Sequence, residues 1–196
     1  MASRHRAAAA SAAIVLAFSL VACDGGEGAD PAPTSATVSF PDDPDKAPAV
    51  PNPITPKAFI EKPCTSLTAE QRRKFELDSG EPEVSDVSGS ECRYRRADRL
   101  VSVRYATDWA GLQDLYRTRS VSTRWEPQVL DGFPAVSTYL SNKSDVPPGP
   151  PSCYYAVGLN DLLFFSVVSQ DTDGSSECGL AKRIAADVLS TITDDR

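Results

Sequence analysis

Histidine and methionine are almost absent from this chain: among 196 residues the only ones are His5 and Met1. Catalysis through an imidazole, as in Ser-His-Asp or Cys-His mechanisms, would therefore depend on His5 alone. No Gly-x-Ser-x-Gly and no Ser-x-x-Lys occurs, so the nucleophile-elbow and penicillin-binding patterns are missing. No glycine-rich loop is placed to cradle a phosphate, and no Cys-x-x-Cys offers a zinc corner. The uncharged run Ala7 to Ala22, 16 residues, is short of the ~20 of a spanning helix, and no second apolar stretch approaches that length. A basic excess is also lacking. Lys and Arg number 20 against 27 Asp and Glu, a net charge of −7, which does not suit a nucleic-acid binder.

What is present begins at the N-terminus. Arg4, His5 and Arg6 precede an uncharged run from Ala7 to Ala22, and small residues close it. A basic stretch, a short apolar stretch and a small-residue boundary make a secretory signal. Leu20-Val21-Ala22-Cys23 ends it with the pattern of a bacterial lipoprotein signal. The Cys23 thiol is the expected acyl site, palmitate being one such chain, and cleavage before it frees an amine for another. Two chains anchor stably where one binds only marginally. Residues 1–22 are therefore expected to be removed, and His5 with them. The remainder carries 18 basic and 27 acidic residues, a net charge of −9. The expected location is the outer face of the cytoplasmic membrane.

From 24 to 56 the composition changes: eight prolines and six acids stand against one lysine. Such a stretch buries too little surface to offset its ordering entropy. Residues 23–56 thus read as the acylated cysteine and a disordered acidic tether, ~30 Å long as a coil and up to ~100 Å as polyproline. One globular domain is left, residues 57–196, of ordinary single-domain size.

Within that domain Thr68-Ala69-Glu70-Gln71 is a capping-box pattern, predicting a helix over 69–77 that Gly80 and Pro82 end. Residues 91–96 and 99–106 predict a hairpin turning at Ala97-Asp98. Cys92 and Tyr94 share one face of it, and Val101, Val103 and Tyr105 share another. Trp109, Leu112, Leu115 and Tyr116 form one stripe of a second helix. Residues 125–130 and 133–140 flank Asp131-Gly132, a strong hairpin signal. A Pro-Gly loop over 141–152 precedes a third hairpin, 153–159 and 162–169. Ala181, Ile184, Ala185, Val188, Leu189 and Ile192 then repeat at helical spacing, with Ser175 or Ser176 as the cap. Helices mixed with hairpins imply an α+β fold: an antiparallel sheet with two or three helices packed on it.

Four cysteines remain: Cys64, Cys92, Cys153 and Cys178. A secreted chain with four cysteines most simply holds two disulfides, and three pairings exist. We favour Cys64–Cys92 and Cys153–Cys178, because each joins a helix end to a nearby strand. Each would add ~3 kcal/mol on the chain-entropy model.

Taken in order, these residues resemble a family. The carriers are Leu20 to Cys23, the low-complexity stretch, Pro63-Cys64 with Leu67-Thr68 at a helix start, and Cys92-Arg93-Tyr94. Gly132-Phe133-Pro134-Ala135, Cys153 at a strand head, and Cys178 with Ala181, Ala185 and Val188 complete the set. The chain is similar, over about residues 63–192, to the actinobacterial lipoproteins grouped as domain of unknown function 3558. Tyr94 departs from the pattern, which more often has tryptophan there. The resemblance implies a lipid-anchored, two-disulfide envelope domain and carries over no catalytic residue.

Two features point to binding. Arg93, Arg95 and Arg104 share the outward face of the first hairpin, with Arg117, Arg119 and Arg124 near in sequence. They would suit an anionic wall polymer or a phosphorylated head group; the competing reading is a solvated face interspersed with acids. Leu162 to Phe165, beside Tyr154-Tyr155, puts bulk on both faces of a strand, so either both faces are covered or one lines an apolar cleft. Asp171-Thr172-Asp173-Gly174 with Glu177 partly matches a calcium loop but lacks its third ligand position and its length, and reads as a capping turn. The expectation is a non-enzymatic domain, without metal or cofactor, that binds an envelope protein or wall polymer. The alternative is a carrier holding a small apolar or lipid ligand between the sheet and a helix, and a third class is an enzyme with two carboxyl groups converging in a cleft.

Overall fold

In the computed structural model the described residues are 37–85, 89–96, 98–140, 152–171 and 178–194, all within the unit Ser35–Arg196. Cys23, the signal segment, the 141–151 loop, Asp173 and the caps Ser175 and Ser176 lie outside them. Seven strands form one antiparallel sheet: β1 Glu81–Ser85, β2 Gly89–Arg96, β3 Arg99–Ala106, β4 Thr123–Leu130, β5 Phe133–Leu140, β6 Ser152–Asn160 and β7 Leu163–Asp171. Their spatial order is β1-β2-β3-β7-β6-β5-β4. The three expected hairpins are present. Asp131 and Gly132 both take positive φ, as a two-residue turn between twisted strands requires.

The helices are α1 Lys57–Glu61, α2 Ala69–Lys74, α3 Leu112–Arg117 and α4 Cys178–Asp194. α1 and β1 were not expected. β1 pairs through its backbone at the sheet edge, and its Glu-Pro-Glu start shows no apolar alternation to betray it. Thr68 caps α2 as predicted: the Gln71 amide N–H donates to Thr68 Oγ1, and Gln71 Oε1 accepts from the Thr68 N–H. The helix stops at Lys74 rather than residue 77. Glu76 turns left-handed, and the Glu76 and Leu77 amides donate back to the Arg73 and Arg72 carbonyls, a Schellman ending with glutamate in glycine's usual place.

The predicted α4 stripe lies across β6 and β7. Ala181, Ile184, Ala185 and Val188 meet a face built from Val103, Tyr105, Tyr155, Val157, Phe165 and Val167, all without exposed surface. At ~1.5–3 kcal/mol per large apolar side chain buried, this interface is the main hydrophobic contribution. Cross-strand register corrects one expectation. Cys92 faces Val103 and Tyr94 faces Val101, so these residues share one face of the sheet, not two.

Both bridges form: Cys64–Cys92, with Cα atoms 4.9 Å apart, and Cys153–Cys178, at 5.2 Å. The first ties a 3-10 turn, Pro63–Ser66, to β2, and the second ties the head of β6 to the first residue of α4. The turn is held further by a 2.7 Å hydrogen bond between the Ser66 and Tyr105 hydroxyls.

The tether expected over 23–56 is corrected for its second half. Residues 37–56 lie against the domain, with Val38 and Pro48 buried and Val50 and Ile54 packed on the core. Composition did not reveal this, because the binding groups sit in the domain and not in the segment. Among the described residues no helix is long and apolar enough to cross a membrane.

Candidate functional site

The face of the sheet opposite α4 holds the site. Its floor is built from Val136, Tyr154, Ala156 and Phe164, with Leu112 and Tyr116 of α3 above them and Trp109, Leu115 and Trp125 around the margin. α3 can seat there because two glycines leave room. A Cβ on Gly158 would meet Leu112 Cδ1 at 2.9 Å, and one on Gly111, at φ +55°, would meet the Asp161 carbonyl oxygen at 2.7 Å. The aromatic rings pack edge to face, Tyr116 on Trp125 at 5.0 Å and Trp109 on Phe164 at 5.7 Å.

Residues 37–56 form a strap. Its first part runs along this face, with Ala47 packing on the apolar cluster. Its end passes to the α4-side core, where Val50 and Ile54 pack. Its six prolines fix φ and remove N–H donors, so the segment cannot join the ladder as a central strand would. Side chains of the domain take its backbone instead. Gln113 Nε2 donates to the Asp45 carbonyl at 2.9 Å, and Gln113 Oε1 accepts from the Ala47 N–H at 3.1 Å. Arg119 Nη1 donates to the Pro44 carbonyl at 3.2 Å, with its Nε 3.7 Å from the Asp45 carboxylate. Asn160 Nδ2 donates to the Ile54 carbonyl at 2.9 Å, while the Ile54 N–H donates to Leu159 O at 2.8 Å.

The fit between the strap and α3 leaves open clefts. One, of about 490 Å³, lies between Pro41, Lys46 and Pro48 on one side and Leu112, Gln113 and Asn160 on the other. A second, of about 290 Å³, lies between Phe40 to Pro44 and Tyr116, Arg119 and Pro127. Tyr116 Oη and Trp125 Nε1 are buried and have no hydrogen-bond partner among the described residues. Burial pushes the Tyr116 hydroxyl up to about 12, against the opposing charge of Arg119.

Arg93, Arg95 and Arg104 do share one face, and the structure sets Glu81, Glu83 and Glu91 among them. Arg93 pairs with Glu83 and with Glu91 (3.0 Å), Arg95 pairs with Glu81 (3.3 Å), and Arg104 Nε lies 3.5 Å from Glu91. Three carboxylates thus accompany the three arginines. Of the arginines near them in sequence, Arg117 pairs with Asp114, Arg124 pairs with Glu126 and lies over the Tyr139 ring, and Arg119 holds the strap. The Arg124 partner holds the Glu126 carboxyl below its usual range. Both faces of the strand carrying Leu163 to Phe165 are covered, Phe164 toward α3 and Phe165 toward α4, while Leu162 stays exposed. Among the described residues no three His, Cys, Asp or Glu side chains cluster as metal ligands.

Gln113 carried no signal in the sequence and Asn160 read only as a turn residue of the third hairpin, since an amide's grip on a distant backbone shows only once its partner is known. The stripe of Trp109, Leu112, Leu115 and Tyr116 was visible, but as one face of a helix; α3 begins only at Leu112, so Trp109 joins the cluster from the bend before it.

These features define a class: a disulfide-stapled, antiparallel α+β domain with one long helix on one face of its sheet and a strapped aromatic groove on the other. The chain belongs to the family described as Protein of unknown function (DUF3558), whose model matches residues 18–191. No curated protein and no solved structure matches it.

Proposed function

We propose that this chain is a lipid-anchored envelope protein whose extracytoplasmic domain works by binding another envelope component, without catalysing a reaction. The observation that carries the reading is the pair of bridges, Cys64–Cys92 and Cys153–Cys178, which use every cysteine of the domain. Bridges of this kind persist in oxidising compartments outside the cytosol. Leu20-Val21-Ala22-Cys23 supports acylation of Cys23, and the lack of histidine beyond His5 supports binding over acid–base chemistry. The aromatic groove supplies a surface on which a partner could dock.

Cell fractionation with Cys23→Ser tests the anchor. The wild-type protein is expected in the membrane fraction with acyl mass on its Cys23 peptide, and the variant in the soluble extracytoplasmic fraction. A variant that stayed with the membrane would overturn the anchoring claim.

A further inference from the structure

We propose that the sheet face beneath the strap is a docking groove for an extended, acidic, proline-containing segment of another protein, and that residues 40–48 of this chain are a resident occupant which such a segment displaces. Proline-rich chains offer carbonyls but few N–H groups, so grooves that take them combine aromatic rings with side-chain donors. The groove here has both: the rings of Trp109, Tyr116 and Trp125, and the donors Gln113 and Arg119. The resident sequence, Phe40-Pro-Asp-Asp-Pro-Asp-Lys-Ala-Pro48, shows what chemistry fits, and Arg119 meets one of its three aspartates, Asp45.

The resident does not satisfy the groove. Tyr116 Oη and Trp125 Nε1 are the kind of donors that would reach the carbonyls of a bound chain, and neither has a partner among the described residues. Two open clefts, of about 490 and 290 Å³, lie between the strap and the residues of α3 and its surroundings that hold it. Few of the strap's side chains are buried: of residues 37–50, only Val38 and Pro48. A segment with so few buried contacts opens at the low end of local unfolding free energies. The groove's apparent affinity for an outside segment is then its intrinsic affinity scaled by the fraction of time it stands open. This inference rests on the binding reading above and not on the acyl anchor, so the Cys23→Ser fractionation and the test below fail independently.

Trp109 and Trp125 are the chain's only tryptophans, so intrinsic fluorescence reports on the groove directly. The probe is a synthetic peptide of residues 38–50, titrated into the full-length wild-type protein and into a full-length variant carrying Pro41→Gly, Pro44→Gly and Pro48→Gly. These changes loosen the strap and leave the groove intact. The expected result is saturable binding, about tenfold tighter in the loosened variant. Gln113→Ala on that background is expected to weaken peptide binding about fivefold, since it removes the hydrogen bonds to the Asp45 carbonyl and from the Ala47 N–H. Equal affinity in the wild-type and loosened proteins, or equal binding of a scrambled peptide of the same composition, would overturn the proposal. So would no binding to a loosened variant that still unfolds cooperatively. A wild-type dimer in light scattering that the peptide dissociates would assign the groove to a second copy and overturn the partner named here.

Discussion

Under α4 the sheet presents side chains with no exposed surface to a helix of 17 residues; on the opposite face a helix of six residues and a proline-rich strap leave Trp109, Leu115 and Trp125 half-buried. The first face is continuous in sequence pattern and is stapled at the helix start by Cys153–Cys178. The second is assembled from Gln113, Arg119 and Asn160 gripping backbone that lies 66 to 106 residues away in sequence. Apolar burial holds α4 on its face, and side-chain hydrogen bonds hold the strap on the other. Burial of a large apolar side chain is worth ~1.5–3 kcal/mol, and a net hydrogen bond ~1. Stability therefore belongs to the α4 face, and the capacity to open belongs to the strapped face.

The largest expected effect is on the α4 face. Ile184→Ala, at a position with no exposed surface, should lower unfolding stability by ~2–5 kcal/mol in urea titration. Replacing Cys153 and Cys178 together by alanine should cost about 3 kcal/mol on the loop-entropy model, read as a fall in thermal midpoint. A loss well under 1 kcal/mol in either case would remove the asymmetry between the faces.

Alkaline pH probes both faces together. Burial raises Tyr94, Tyr155, Tyr116 and Tyr154 to about 12 from a usual value of 10.0. The unfolded chain therefore releases these protons first. Stability contributed by the neutral hydroxyls is fully present below pH 10 and is lost as pH rises toward 12, by up to ~1.4 kcal/mol per pH unit for each group. The urea midpoint should change little from these groups between pH 7 and 9 and fall steeply above 10.

The smallest effect sharpens the contrast most. Gln113→Ala removes both strap contacts of that amide, at ~1 kcal/mol of local stability. Hydrogen exchange of the Ala47 amide should quicken and tryptophan emission shift, while exchange within α4 stays unchanged. If α4 exchange quickened equally, the two faces would be one cooperative unit.

Much of the molecule was legible before its structure. The α4 stripe, the three hairpins, the Thr68 capping box and both cysteine pairings follow from local periodicity, turn chemistry and spacing. β1 was hidden because an edge strand pairs by backbone and needs no apolar alternation, and with Pro82 and two glutamates it carries the marks of a protected edge. The strap was hidden for a related reason. A segment of prolines and acids reads as a spacer wherever its partners are polar side chains of distant elements. The arginines of the first hairpin were correctly placed on one face, but their carboxylate partners on β1 belonged to a strand the sequence did not announce.

By itself, then, the sequence determined whatever depends on neighbours along the chain: helix and hairpin positions, the buried stripe of α4, and the cysteine pairs that join adjacent elements. Only the tertiary structure decided which residues share a sheet face, that residues 37–56 pack along the domain, and that Tyr116 Oη and Trp125 Nε1 are buried without a partner among the described residues. Those outcomes depend on cross-strand register and on contacts between residues far apart in the chain, where no period or motif exists to carry the information.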